Sequence, residues 1–383
     1  MTSKSLILHI GDPKTGSSSI QQALFQRRVE CETVSIDYPP KLNAIQLANS
    51  IRREAKTDEI ESRFRAAADW LEASHADVAV LSAEQFASID PVEVNAVFAK
   101  YMPKHAETMR VVAYARPHVS RFLSAYAQRV KVGSLQTDVE TFFVENTSKR
   151  FLNFSRRFTK WRNLYGDRFV LRPMVREELR DGDVVADFVG IVVQNAPFKL
   201  LDMAAANTTL PVEALSGLKF LQQHLESHDI QGAIRHAVGS QINRICGGLK
   251  GVRGTKLRIG RDLYDSICKI ARSDAVNLDE VFFGKPVMVK AMDDAAFETA
   301  DKTMETDAKV YFSPQELAKL TELSGALVGL LMEQTGLWKE AFVRRIGQKV
   351  DGVGNADLSA EAISHIARVD EILEEASALI SRV

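Results

Sequence analysis

Three cysteines in 383 residues, Cys31, Cys246 and Cys268, are too few and too scattered for a disulfide framework or a Cys-x-x-Cys metal site. No apolar run approaches the ~20 residues that a membrane-spanning helix needs. The opening Met1-Thr2-Ser3-Lys4-Ser5 leads straight into Leu6-Ile7-Leu8-His9-Ile10, which is too short for a signal-peptide core and lacks a small-residue cleavage site. These absences make a cytoplasmic location the expectation. Charge of one sign is missing too: 49 Lys+Arg against 50 Asp+Glu leave a formal net charge of −1, so no overall field draws the chain to nucleic acid or to an anionic membrane. A neutral total still permits a local basic site.

What is present is the 45% hydrophobic and 26% charged composition of a chain that buries a large core. In the first half, short apolar runs alternate with helical periodicity. The predicted strands are Leu6–Ile10, Thr33–Ile36, Val78–Leu81, Met109–Tyr114 and Arg168–Leu171. The predicted helices are Ser18–Gln26, Glu59–Ser74, Val92–Tyr101, Val119–Val130 and Phe154–Tyr165, with Asp90 capping the third and Pro91 at its first position. Continuous apolar strands between helices predict an α/β fold: a central, mostly parallel sheet with helices on both faces. From about Leu210 helix follows helix: Leu215–Leu225, Ile230–Ile245, Asp262–Ala271, Pro314–Thr335 and, after an Asp351-Gly-Val-Gly-Asn-Ala-Asp357 linker, 358–383. The expected divisions are therefore 1–205 for the α/β core, 206–350 for a helical extension that could bind an acceptor or act as a lid, and 351–383 for the linker and last helix.

The first strand runs into His9-Ile10-Gly11-Asp12-Pro13-Lys14-Thr15-Gly16-Ser17-Ser18-Ser19 and then a helix. Gly11 and Gly16 allow tight turns that point successive N–H groups at one anion. Ser17, Ser18 and Ser19 add hydroxyls, the helix N-terminus adds its dipole, and Lys14 adds a point charge. The whole suits a phosphate or sulfate group. It is not the Gly-Lys-Ser/Thr ending of a nucleotide triphosphatase loop, and the strand at Val78–Leu81 leads into Ser82-Ala83-Glu84 rather than an aspartate placed for magnesium.

The arrangement Pro13-Lys14-Thr15-Gly16-Ser17-Ser18-Ser19 resembles the 5′-phosphosulfate loop of sulfotransferases that use PAPS (3′-phosphoadenosine-5′-phosphosulfate). A second stretch, Arg116-Pro-His-Val-Ser-Arg-Phe-Leu-Ser124, is similar to the family's 3′-phosphate site, an arginine ending a strand with a serine eight residues on. Ser124-Ala-Tyr126-Ala-Gln128-Arg-Val-Lys131 continues as bacterial members do, and a looser likeness extends through Trp161, Tyr165-Gly166, Arg172-Pro173 and Asp187-Phe188 to about residue 290. The resemblance implies a P-loop-like α/β fold. It implies PAPS as donor, PAP as product and no metal ion. Gly11, Pro13, Lys14, Thr15, Gly16, Ser17, Ser18, Ser19, Arg116 and Ser124 would hold the nucleotide, and Lys14 would stabilise the leaving phosphate. Sugar hydroxyls of a polysaccharide or glycolipid are the acceptors it implies.

A general base is also needed. Bacterial relatives carry a His-His pair where this chain reads Asn43-Ala-Ile-Gln-Leu-Ala48. Glu84, beyond the third predicted strand, is the candidate here; its alternative is a partner to an arginine or a cap on the next helix. Asp37 is a second candidate. His9 reads as a hydrogen-bonded core residue, and His118 as a turn residue that is solvated or touches nucleotide. Lys250, Arg253, Lys256 and Arg258 form a solvated basic loop or one that attracts an anionic acceptor. Two other readings stand beside sulfuryl transfer: a P-loop kinase for a small molecule, which would need ATP and magnesium, and a catalytically inactive sulfotransferase-like protein that binds PAPS or PAP.

Overall fold

The computed structural model describes residues 5–52, 57–147, 152–201, 210–248, 254–346 and 358–381. They divide into two units: Met1–Arg121 with Arg150–Ala204 and Cys268–Asp294, and Phe122–Lys149 with Ala205–Ile267 and Ala295–Val383.

The first unit is built on a five-stranded parallel sheet. Its strands are β1 (Ser5–His9), β3 (Ile36–Asp37), β4 (Val78–Ser82), β5 (Arg110–Ala115) and β6 (Phe169–Pro173), in the order β3-β4-β1-β5-β6. A two-residue strand β2 (Val29–Glu30) pairs antiparallel with β7 (Lys199–Leu200) outside that sheet. All of β4 and all but the first residue of β1 and β5 are buried, so both sheet faces are covered. On one face Ile7, Val78, Val80, Val112 and Tyr114 pack with Ile20 and Leu24 of the helix Ser17–Phe25 and with Val185, Phe188 and Val189 of the helix Val184–Val192. On the other, Phe169 stacks with Phe158 and Trp161 of the helix Ser155–Tyr165. Four of the five core strands and the predicted helices between them thus follow the hydrophobic pattern of the sequence, whereas the helix Ile45–Arg52 was not predicted; Asp90 accepts from the Val92 N–H with Pro91 at the first helical position.

One strand is shorter than expected. Of Thr33–Ile36 only Ile36 enters the sheet, with Asp37. The Ser35 N–H donates to the Asp77 carboxylate at 2.9 Å, and the Asp77 N–H donates to the Ser35 hydroxyl at 2.9 Å. These side-chain bonds flank the backbone bond from the Val78 N–H to the Ser35 carbonyl at 3.1 Å, where the ladder ends.

The chain order explains where a ligand can sit. After central β1 the chain builds β3 and β4 to one side, then crosses to β5 and β6 on the other. In open parallel sheets such a reversal leaves a crevice outside the C-terminal strand ends. The segments beyond β1, β4 and β5 hold Gly11–Gly16, Glu84 and Arg116 respectively.

The second unit contains the helices Val212–Ser227, Gly232–Gly248, Pro314–Glu333, Leu337–Arg345 and Ala360–Ile380. Ser313 and Glu316 form a reciprocal capping box at the start of Pro314–Glu333. Trp338 Nε1 donates to Asp370 at 2.8 Å, tying the last two helices together. The linker residues 351–357, with Lys250 and Arg253, lie outside the described residues. No helix among the described residues is long and apolar enough to cross a membrane.

Candidate functional site

The loop after β1 alternates its backbone hand. Gly11, Lys14 and Gly16 have φ of 61°, 71° and 80°, the left-handed region that glycine enters without penalty and lysine does not. Space also requires glycine here: a Cβ on Gly11 would lie 2.7 Å from Ser17 Oγ, and one on Gly16 would lie 2.6 Å from Val184 Cγ1. Gly16 is the N-cap of the helix Ser17–Phe25 and supplies no side-chain cap. The Ser19 and Ile20 N–H groups donate to the Gly16 carbonyl at 3.0 and 3.1 Å, while the N–H groups of Ser17 and Ser18 precede the first carbonyl that the helix can offer them. Ser17 Oγ is buried with no hydrogen-bond partner among the described residues, an orphaned donor at an anion-ready helix end. Ser18 is exposed and Ser19 half-buried. The Thr15 hydroxyl serves the loop itself, donating to the Asp12 carbonyl at 2.6 Å and accepting from the Asp12 N–H at 3.2 Å.

Lys14, Glu84, Arg116 and Arg121 form one electrostatic group. Burial pulls the Lys14 ammonium below the usual lysine range; Glu84 opposes that shift, while Arg116 and Arg121 add to it. Burial raises the Glu84 carboxyl, with Lys14 and Arg121 pulling it back and Asp12 pushing it further. Both directions agree with a lysine and a carboxyl facing each other in a partly desolvated cleft. The Glu84 backbone is the wall of that cleft: a Cβ on Gly11 would lie 3.2 Å from the Glu84 Cα. Arg116 is also partly desolvated, with burial and then Arg121 lowering its pKa. Its Nη1 donates to the Lys14 carbonyl at 2.7 Å and its Nε to Ser120 Oγ at 3.2 Å.

The structure therefore brings the Gly11–Ser19 loop, Glu84 and Arg116 together in the first unit. Ser124 lies further along the helix His118–Lys131, past the residue at which the chain passes into the second unit, and is half-buried. The Asn43–Ala48 stretch reaches the same sheet edge: the Ala44 N–H donates to the Ser82 carbonyl at 2.8 Å. Asp37 is elsewhere, on edge strand β3, where Arg27 donates to it at 2.9 Å and hydrogen bonds outweigh burial to hold its carboxyl below the ordinary range.

His9 is fully buried, bonded to Ser82 Oγ at 2.8 Å and packed on Phe188; burial lowers its pKa to about 3. His118 differs from both sequence expectations. It is fully buried and stacked on Phe154, and its Nε2 lies 3.0 Å from Asp274 Oδ2. The preceding Arg116-Pro117 turn faces the loop, but helix packing carries the next side chain inward. Lys256 is exposed and paired with Glu298, and Arg258 is exposed.

The sequence reading missed Asp12, Arg121 and Arg157. Asp12 is fully buried within the Gly11–Ser19 loop, with Arg157 donating to its Oδ1 at 2.6 Å and Arg121 Nη2 3.6 Å from its Oδ2; Arg121 also donates to the Pro13 carbonyl. The position of Arg121, one helical turn beyond Pro117, was a usable signal. Arg157, 145 residues from its partner, had none.

No family model, curated protein or solved structure matches the chain. The class that its own geometry defines is an α/β protein with a glycine-turned loop at the C-terminal edge of a five-stranded parallel sheet.

Proposed function

We propose that the chain is a PAPS-dependent sulfotransferase acting on a hydroxyl acceptor, a carbohydrate or glycolipid by family resemblance. One convergence carries this reading. Beyond three adjacent strand ends lie an uncapped helix N-terminus with an orphaned serine hydroxyl, a desolvated lysine, an arginine and a carboxyl of raised pKa. The lysine lies before the second glycine rather than after it, which favours a sulfuryl donor over ATP.

In this reading the Gly11–Ser19 loop and Arg116 hold the donor. Glu84 takes the proton of the acceptor hydroxyl as its oxygen bonds to sulfur, and the bond from sulfur to the 5′-phosphate oxygen breaks in line. Lys14 stabilises the charge that collects on that departing oxygen. A carboxyl shifted upward toward the working pH is the better base for this step.

The test is PAP release from PAPS in the presence of oligosaccharide and glycolipid acceptors, compared with Lys14→Ala. Acceptor-stimulated release that falls roughly 10²–10³-fold in the variant supports the assignment. Tight PAP binding without release on any acceptor would instead support a nucleotide-binding protein that has lost catalysis.

A further inference from the structure

A fully buried carboxylate inside an anion-binding loop is electrostatically out of place, since it repels the charge that the loop is shaped to receive. Asp12 is such a group, and it persists because two arginines converge on it from separate helices. Arg121 comes from His118–Lys131 and Arg157 from Ser155–Tyr165. Arginines of this region also hold the loop backbone just after Asp12. Arg121 donates to the Pro13 carbonyl, and the neighbouring Arg116 donates to the Lys14 carbonyl at 2.7 Å.

Behind the two helices is a second buried carboxylate. Asp274 accepts from the Phe154 N–H at 3.2 Å, the Ser155 N–H at 2.9 Å and the Ser155 hydroxyl, and it lies 3.0 Å from His118 Nε2. It thus caps Ser155–Tyr165, whose own N-cap Phe154 has no side chain for the task, and holds the first residue of His118–Lys131. Burial alone would raise this carboxyl, but the bonds from His118 and Ser155 outweigh it and hold its pKa below the ordinary value.

We propose that Asp12 is a positioning residue: through Arg157 and Arg121, whose helices Asp274 fixes, it locks the Pro13–Lys14 peptide so that the Lys14 ammonium stands opposite Glu84. Lys14 has φ 71°, a conformation that its own side chain disfavours, so an outside restraint is needed to hold it. The effect on turnover rests on the sulfotransferase reading; the effect on the loop does not. Charge and position pull in opposite directions here, which makes the two separable. Removing the Asp12 charge leaves the cleft more positive and favours anion binding, while freeing the loop misplaces Lys14.

The experiment uses the full chain with Asp12→Asn, Arg157→Gln and the double variant, each checked for cooperative melting. It has two readouts: hydrogen exchange of the peptide covering 10–20 without ligand, and PAPS hydrolysis with water as acceptor, beside the PAP dissociation constant. The expected result for Asp12→Asn is loss of exchange protection confined to that peptide and a fall of about a hundredfold in hydrolysis. PAP affinity should fall much less than hydrolysis, because the lost Asp12 charge offsets part of the loosened hold, and the double variant should be no worse than the single ones. Unchanged exchange in 10–20, or losses in the double variant that multiply, would overturn the proposal. If wild type neither binds PAP nor hydrolyses PAPS, the exchange result alone decides the positioning role and the functional reading fails separately. Asp274→Asn serves as the variant that touches neither loop nor arginine, and it should reproduce the loss of protection in 10–20.

Discussion

Arg116 Nη1 donates to the carbonyl oxygen of Lys14 at 2.7 Å, joining two residues 102 positions apart. The bond links the end of β5 to the loop after β1, so the guanidinium is at once a wall of the crevice and a brace for the lysine within it. Lysine in its place could not reach both the carbonyl and Ser120 Oγ from one planar fork. Arg116→Lys should weaken PAP binding about ten- to a hundredfold, the range of one to two charge-assisted hydrogen bonds. A titration showing affinity within twofold of wild type would refute that role.

Glu84 predicts the acid limb of the pH profile. Its folded carboxyl has a raised pKa, chiefly from burial, so the base form is lost on acidification at a higher pH than for an ordinary glutamate. PAP release should decline below that raised value, and Glu84→Gln should remove the limb together with most of the rate. The stability linkage has the opposite sign from a salt-bridged acid. The folded state holds the proton more tightly than the unfolded state, so stability falls as pH rises from the ordinary glutamate range through the raised value. Glu84→Gln should flatten that fall in melting temperature, and an unchanged slope would contradict the partly buried position of the carboxyl.

Gly16 carries both a backbone and a packing constraint, φ 80° and a Cβ position 2.6 Å from Val184 Cγ1. Gly16→Ala should cost about 2–4 kcal/mol, from the left-handed conformation and the overpacking together. Chemical denaturation measures this directly. A shift below about 0.5 kcal/mol would mean that the loop has another backbone course.

A structural pair away from the crevice gives an independent check on the first unit. Asp187, buried on the helix Val184–Val192, accepts from Arg172 Nε at 3.0 Å and Nη2 at 2.7 Å, from the Tyr114 hydroxyl at 2.8 Å and from the Arg180 N–H at 3.1 Å. Asp187→Ala strands the Arg172 charge and the Tyr114 hydroxyl, and should destabilise by about 3–5 kcal/mol. It should leave the PAP dissociation constant unchanged in the protein that remains folded.

How much of this was legible in the sequence depended on whether the signal was local. β1, β4 and β5 read as continuous apolar runs because both of their faces are buried, and Asp90-Pro91 marked a helix start by its own chemistry. Gly11 and Gly16 could be read as turn positions because their residue type permits the left-handed backbone that they adopt, whereas nothing local marked Lys14 for φ 71°. The β2–β7 pair could not, since two-residue strands carry no periodicity. The Asp12–Arg157 pair was equally hidden. Asp12 reads as an ordinary turn residue, and Arg157 as one cation in a helix with several, until folding brings them within 2.6 Å. His118 shows the same limit: its burial follows from Asp274, 156 residues away.

The most direct test of the central claim is calorimetric titration of the purified protein with PAP, beside ATP with magnesium, on wild type and Arg116→Ala. A sulfotransferase would show micromolar PAP binding (about −8 kcal/mol) that the substitution abolishes, with no heat from ATP. Absence of PAP binding would contradict the sulfotransferase assignment, and ATP binding in its place would turn the same crevice into that of a kinase.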